Sequence, residues 1–106
     1  MRQDILSKLN KLFSGTIDTI KVTCCTSKLQ EIMKFEMLGH KIEEDGNVIK
    51  VSDDTGNGFF SPKTVTIDPT EVKKVTYEDG SGIHCRNMVI MMKDGNRIEL
   101  ETVAFG

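Results

Sequence analysis

The chain has 106 residues, 38% hydrophobic and 28% charged, and fourteen Lys and Arg against sixteen Asp and Glu leave a net charge of −2. That length supports one domain, 1–106, without a second core, and the near-neutral balance supplies no field to draw in a phosphate backbone. Three cysteines make no disulfide framework, no segment approaches the ~20 apolar residues of a membrane span, and the polar N-terminus does not read as a signal peptide, so a reducing, cytoplasmic setting is expected.

With no Trp, one Tyr and five Phe, the core must rest on Ile, Val, Leu and Met. Residues 4–13 predict an amphipathic helix. Ile5, Leu6, Leu9, Leu12 and Phe13 recur at helical spacing on one face, with Lys8 and Lys11 on the other. Asp4 suits the positive end of the helix dipole and Lys11 the negative end, and Gly15 can terminate the helix. The rhythm then changes to that of a strand over 17–24, with Ile20, Val22 and Cys24 facing one way and Thr19, Lys21 and Thr23 the other.

Residues 27–38 carry two patterns. Ser27 and Gln30 are spaced as a capping box before Leu29, Ile32, Met33 and Met37, which fits a helix stopped by Gly39. Met33, Phe35 and Met37 also alternate with Lys34 and Glu36, which fits a strand. A strand over 31–43 is preferred, because it would run directly into the Asp45-Gly46 turn and pair with Val48–Val51.

Three Asp-Gly pairs, Asp45-Gly46, Asp79-Gly80 and Asp94-Gly95, sit beside or between alternating apolar stretches. Asp-Gly tolerates the positive φ angles of a tight hairpin turn, so the chain reads as a series of antiparallel hairpins. Residues 52–63 form the one long break in the pattern. Beyond it, Val65 and Ile67 alternate with Thr64 and Thr66, and Asp68-Pro69-Thr70-Glu71 predicts a single capped turn before Val75 and Tyr77 resume the strand rhythm. The run Met88-Val89-Ile90-Met91-Met92 is apolar on both faces, which predicts a central strand covered on each side. Asp94-Gly95-Asn96 then turns the chain into Ile98, Leu100 and Thr102.

The expected fold is therefore α+β and mainly antiparallel β: an N-terminal helix packed on a curved sheet or small barrel of about five to seven strands. The order of elements loosely resembles Sm-like and SH3-like barrels. The resemblance rests on residues 65–72 and the final hairpin, which together cover less than half of the chain.

Cys24-Cys25 and His84-Cys85 offer thiolate and imidazole, the favoured ligands of zinc, but structural zinc takes ligands two to four residues apart and adjacent strand residues face opposite ways. No metal and no cofactor is expected. His84 beside Cys85 lacks an orienting group and a local nucleophile signature, and His40 stands alone before Lys41. Asp53, Asn57 and Gly58 match positions of a calcium loop, yet Thr64 stands where the bidentate Glu is required. Gly80-Ser81-Gly82 is too short for a nucleophile elbow or a phosphate loop.

The 53–60 segment is the better lead, because Phe59-Phe60 follows a polar, glycine-rich stretch containing Asp53, Asp54 and Asn57. Adjacent aromatics on an extended backbone point to opposite sides, so one can anchor to the core while the other is offered to a partner. The expected function is a small non-enzymatic protein-binding module, such as an adaptor, a regulatory subunit or an inhibitor, for which a phage or mobile-element origin would be suitable. Its expected partner-binding residues are Asp53, Asp54, Asn57, Phe59 and Phe60. One alternative is a β-barrel binding RNA or single-stranded DNA, stacking bases on Tyr77 and Phe59 and meeting phosphates with Lys73, Lys74, Arg86 and Arg97. Another is a small-molecule or nucleotide binder formed by the glycine-rich loops at a homo-oligomer interface.

Overall fold

In the computed structural model, residues 1–14, 19–28, 30–38, 41–52, 63–80 and 86–102 are described. Helix α1 spans Arg2–Leu12 and buries Ile5, Leu9 and Leu12 completely, with Phe13 nearly so. The apolar stripe therefore does what its spacing requires, lying against the sheet at β6 (Val72–Asp79) and β7 (Arg86–Met92). The start of α1 is tied elsewhere. Arg2 donates from Nε to Glu44 Oε1 at 2.7 Å and from its guanidinium to the Gly46 carbonyl at 2.8 Å.

Five strands form one antiparallel sheet in the order β2-β1-β8-β7-β6, with β1 over Thr19–Cys25, β2 over Glu31–Leu38 and β8 over Arg97–Thr102. Three more, β3 (Lys41–Asp45), β4 (Val48–Ser52) and β5 (Thr64–Ile67), form a second antiparallel sheet in chain order. One face of the larger sheet carries Ile20, Val22, Met37, Met88, Ile90 and Leu100, all buried. With Ile49, Val51, Val65 and Ile67 of the smaller sheet and the helix stripe they form one core cluster.

The expected small barrel is not what forms. Among the described residues no strand of one sheet pairs with a strand of the other, so the sheets stay open, and α1 covers part of the face that barrel strands would otherwise enclose. Among the described residues there are eight strands, where about five to seven were expected. The preferred strand over 31–43 is two strands, β2 and β3, assigned to different sheets. Strand, rather than helix, does hold over 31–38. The Ser27–Gln30 spacing caps nothing helical: Thr26 Oγ1 accepts from the Lys28 and Gln30 amides at 3.3 and 3.2 Å and closes the β1–β2 turn.

The Asp-Gly pairs divide. Asp45 pairs with Val48, leaving Gly46 and Asn47 as a two-residue loop with Gly46 at φ +61°, the positive φ that primed hairpin turns need at their first central position. Gly95, at φ +94°, follows Lys93 and Asp94 in a loop where the Gly95 amide donates to the Met92 carbonyl at 3.0 Å and Met92 to Asn96 at 2.8 Å. Asp79-Gly80 makes no tight turn: Asp79 pairs with Arg86, leaving residues 80–85 between them. The Asp68 turn forms as its sequence prescribes, a 3-10 turn over Pro69–Glu71 with the Asp68 carboxylate accepting from the Thr70 amide at 3.0 Å.

Strand β7 lies inside its sheet, between β8 and β6, but only one of its faces is covered. Met88 and Ile90 are buried while Val89 and Met91 on the other face are half-buried, among charged neighbours such as Glu99, Glu101 and Arg97. No helix among the described residues is long and apolar enough to cross a membrane.

Candidate binding site

Strand register defines where the longer connections are rooted. Ser52 pairs with both Lys41 and Thr64 at one end of the small sheet, and Thr19 with Leu38 and Ile20 with Thr102 at the matching end of the large one. Asp79 and Arg86 close the β6–β7 pairing at that same end. The strands below these roots are fixed by burial of Val51, Val65, Ile20 and Met88. Lys63, immediately before β5, donates from Nζ to the Glu36 carbonyl of β2 at 3.1 Å, so the root of the 53–62 connection is tied to the larger sheet.

All five expected partner-binding residues, Asp53, Asp54, Asn57, Phe59 and Phe60, lie outside the described residues, as do His40, Ser81, Gly82, His84 and Cys85. Their anchoring strands are the nearest described features. Cys24 and Cys25 are described, and both are free thiols. Burial first, and the neighbouring Cys25 second, push the Cys24 thiol above its ordinary value of 9.0, the opposite of what activates a cysteine nucleophile. Among the described residues no group of three or more His, Cys, Asp or Glu could hold a metal ion.

A polar corner lies beside the 80–85 connection. Arg86 donates from its guanidinium to the Ser14 carbonyl just past the end of α1, where its positive charge complements the helix dipole. Its amide donates to Thr102 Oγ1 at 3.2 Å, and its Nε is buried with no partner among the described residues. Tyr77 donates to Asp79 Oδ2 at 3.4 Å, and Lys11 Nζ sits 6.0 Å from the Tyr77 ring centre. Burial, helped by the Asp79 charge and opposed by Arg86, raises the Tyr77 hydroxyl above its ordinary 10.0. A shallow groove along the outer face of α1, lined by Leu6, Ser7, Asn10, Lys11 and Ser14, runs up to this corner. Arg86 there holds the helix end onto the sheet.

The basic residues considered for nucleic acid do not all share a face. Lys74 and Arg97 flank Met91 in register, and Arg97 is paired with Glu99 at 3.2 Å. Arg86 lies five residues along β7 from Met91 and turns to the helix side, because residues an odd number apart on a strand face opposite ways.

One exposed feature escaped the sequence reading. Ile32 and Met33 of β2 are 61% and 55% exposed, large hydrophobics left facing solvent among the described residues. Its signal was present: Ile32 breaks the alternation of Met33, Phe35 and Met37 with charged residues.

No protein-family model and no curated protein matches the sequence. Among solved structures, the pleckstrin homology (PH) domain of USP37 is similar at 16% identity and a TM-score of 0.46, over 81% of this chain and 81% of that one. At that level the likeness transfers nothing to the residues of this chain.

Proposed function

We propose that the chain is a non-enzymatic binding module for another protein, contacting it through the 53–60 loop with Phe59 or Phe60 as the anchor. The observation that supports this reading is the Ser52–Thr64 pairing. It holds the two ends of the 53–63 connection opposite each other on strands whose Val51 and Val65 are buried. A connection of that length far exceeds the ~2–5 residues that a hairpin needs, and long loops rooted on a rigid sheet are where recognition residues concentrate. The raised Cys24 thiol and the division of the Arg and Lys residues between faces favour neither thiol catalysis nor a phosphate-binding groove.

The test is capture of partners from nuclease-treated lysate, followed by affinity measurement with the Phe59→Ala/Phe60→Ala variant. Loss of about 2 kcal/mol or more, roughly thirtyfold in Kd, with an unchanged urea midpoint supports the loop as the contact. A folded variant that binds unchanged places the contact elsewhere, and capture that disappears with nuclease transfers the reading to nucleic acid.

A further inference from the structure

On the face of the large sheet turned away from the core, Val89 and Met91 are half-buried, whereas Met88 and Ile90 on the other face are buried. Register lines up Lys74, Met91 and Arg97 as one row across β6, β7 and β8, and Glu78, Asn87 and Glu101 as another, with Val89 midway between the two. Arg97 and Glu101 keep partners within the chain, Glu99 at 3.2 Å and Lys21 at 3.5 Å. Lys74 and Glu78 are exposed and, among the described residues, belong to no ion pair. This face therefore offers a partner one cation and one anion, with an apolar centre beside them. We propose that the partner is a second copy of this chain, packed face to face about a two-fold axis that crosses the strands over Val89.

Charge fixes the occupant and its direction. A two-fold contact joins one patch to itself, so the patch must be self-complementary. An axis across the strands over Val89 reverses each strand against its own copy. It sets Lys74 of one copy against Glu78 of the other, twice, and Val89 against Val89. An axis running along β7 lays β6 over β8 instead, and brings Lys74 against Arg97 and Glu78 against Glu101, like on like. An axis across the strands over Met91 sets Lys74 against itself, and one over Asn87 does the same to Glu78. Of these four arrangements, the Val89 centre is the one that pairs opposite charges.

The remaining charges tolerate that arrangement. Glu99 lies in the row of Val89, close to its own copy, and each Glu99 is neutralised by the Arg97 of its own chain. Lys34 lies in the same row, three strands from β7 on β2. Packed sheets cross at about 30°, which over the ~14 Å spanned by three strands displaces Lys34 by about 7 Å. That is one row, and it carries Lys34 off its own copy and onto Glu31 or Glu36 of the other. A contact centred on three strands is small and of the transient class. It does not depend on the 53–60 loop reading.

Lys74 and Glu78 stand ~13 Å apart in one chain, beyond the ~10 Å screening length of 0.1 M salt, so reversing either changes little within a protomer. Sedimentation equilibrium of the full chain in that salt, from micromolar to millimolar concentration, tests the proposal. The wild type should shift from the mass of one protomer to that of two. Lys74→Glu alone, or Glu78→Lys alone, should weaken the dimer about tenfold or more by setting like charges opposite each other. Mixing the two single variants should restore association, because each supplies the charge that the other lacks, and so should the double exchange in one chain. Circular dichroism and urea midpoints establish that each variant is folded. Should one single variant fail to fold, the other and the double exchange make the same test. A one-protomer mass at every concentration overturns the proposal, as does a dimer indifferent to either reversal or a mixture of folded single variants that stays apart.

Discussion

Gly95 and Ser27 meet at the turn end of the five-stranded sheet, where a Cβ added to Gly95 would lie 2.7 Å from the Ser27 Cβ. Two hairpin turns, β1–β2 and β7–β8, are pressed together there, and β8 lies directly beside β1. Gly95 satisfies two demands at once. It takes φ +94°, which a side chain resists, and it leaves room for the neighbouring turn.

Gly46 separates these demands. Its φ is +61°, yet nothing lies within 4 Å of the position a Cβ would take. Gly46→Ala should cost only the left-handed penalty of about 1–2 kcal/mol. Gly95→Ala should add an overpacking cost of about 1–3 kcal/mol. Urea denaturation of the two variants side by side measures the difference, and equal losses would show that the Ser27 turn yields freely.

Leu9 is fully buried in the interface of α1 with β6 and β7. Leu9→Ala should therefore destabilise the domain by about 2–5 kcal/mol. Asn10→Ala, one residue on and exposed, should stay within about 0.5 kcal/mol. Chemical denaturation of both variants checks that the helix is packed rather than attached by its ends alone.

Asp68 gives the 3-10 turn a pH dependence. Hydrogen bonds from the Thr70 hydroxyl and amide hold its carboxyl below the ordinary 3.8. The stability this confers is fully present above that ordinary value, declines as the pH falls below it, and is gone once the pH passes below the depressed folded-state value. Asp68→Ala should lower the urea midpoint at neutral pH, and the gap from wild type should narrow well below pH 3.8. A gap constant with pH would mean that the ionised carboxylate contributes nothing.

Features legible in the sequence were those encoded within a few residues. The helix stripe, the Asp68 cap and the final hairpin each depend on side chains near the groups they serve, and each formed. The strand over 31–38 was legible as alternation, but the single strand to 43 was not a sound reading. Met33, Phe35 and Met37 keep the apolar face on odd positions, whereas Ile42 is the partly buried apolar residue of β3 on an even one. A regular strand cannot change parity without turning its face, so the change marks a break. Of the candidate site, the sequence indicated the aromatic loop, while the opposed charges of Lys74 and Glu78 around Val89 needed the strand register before they could be seen.

What the sequence determined by itself was which residues turn, which cap and which must leave water. Turn and cap chemistry act locally, and periodicity reports that a face is apolar. Only the tertiary structure decided what each face meets. Burial is favourable against any apolar surface, and backbone groups pair without regard to side chain, so neither one names its partner. The choice of β8 as neighbour to β1, the division into two open sheets, and the long-range ties of Arg2 to Glu44 and Lys63 to Glu36 all follow from which arrangement satisfies every face together.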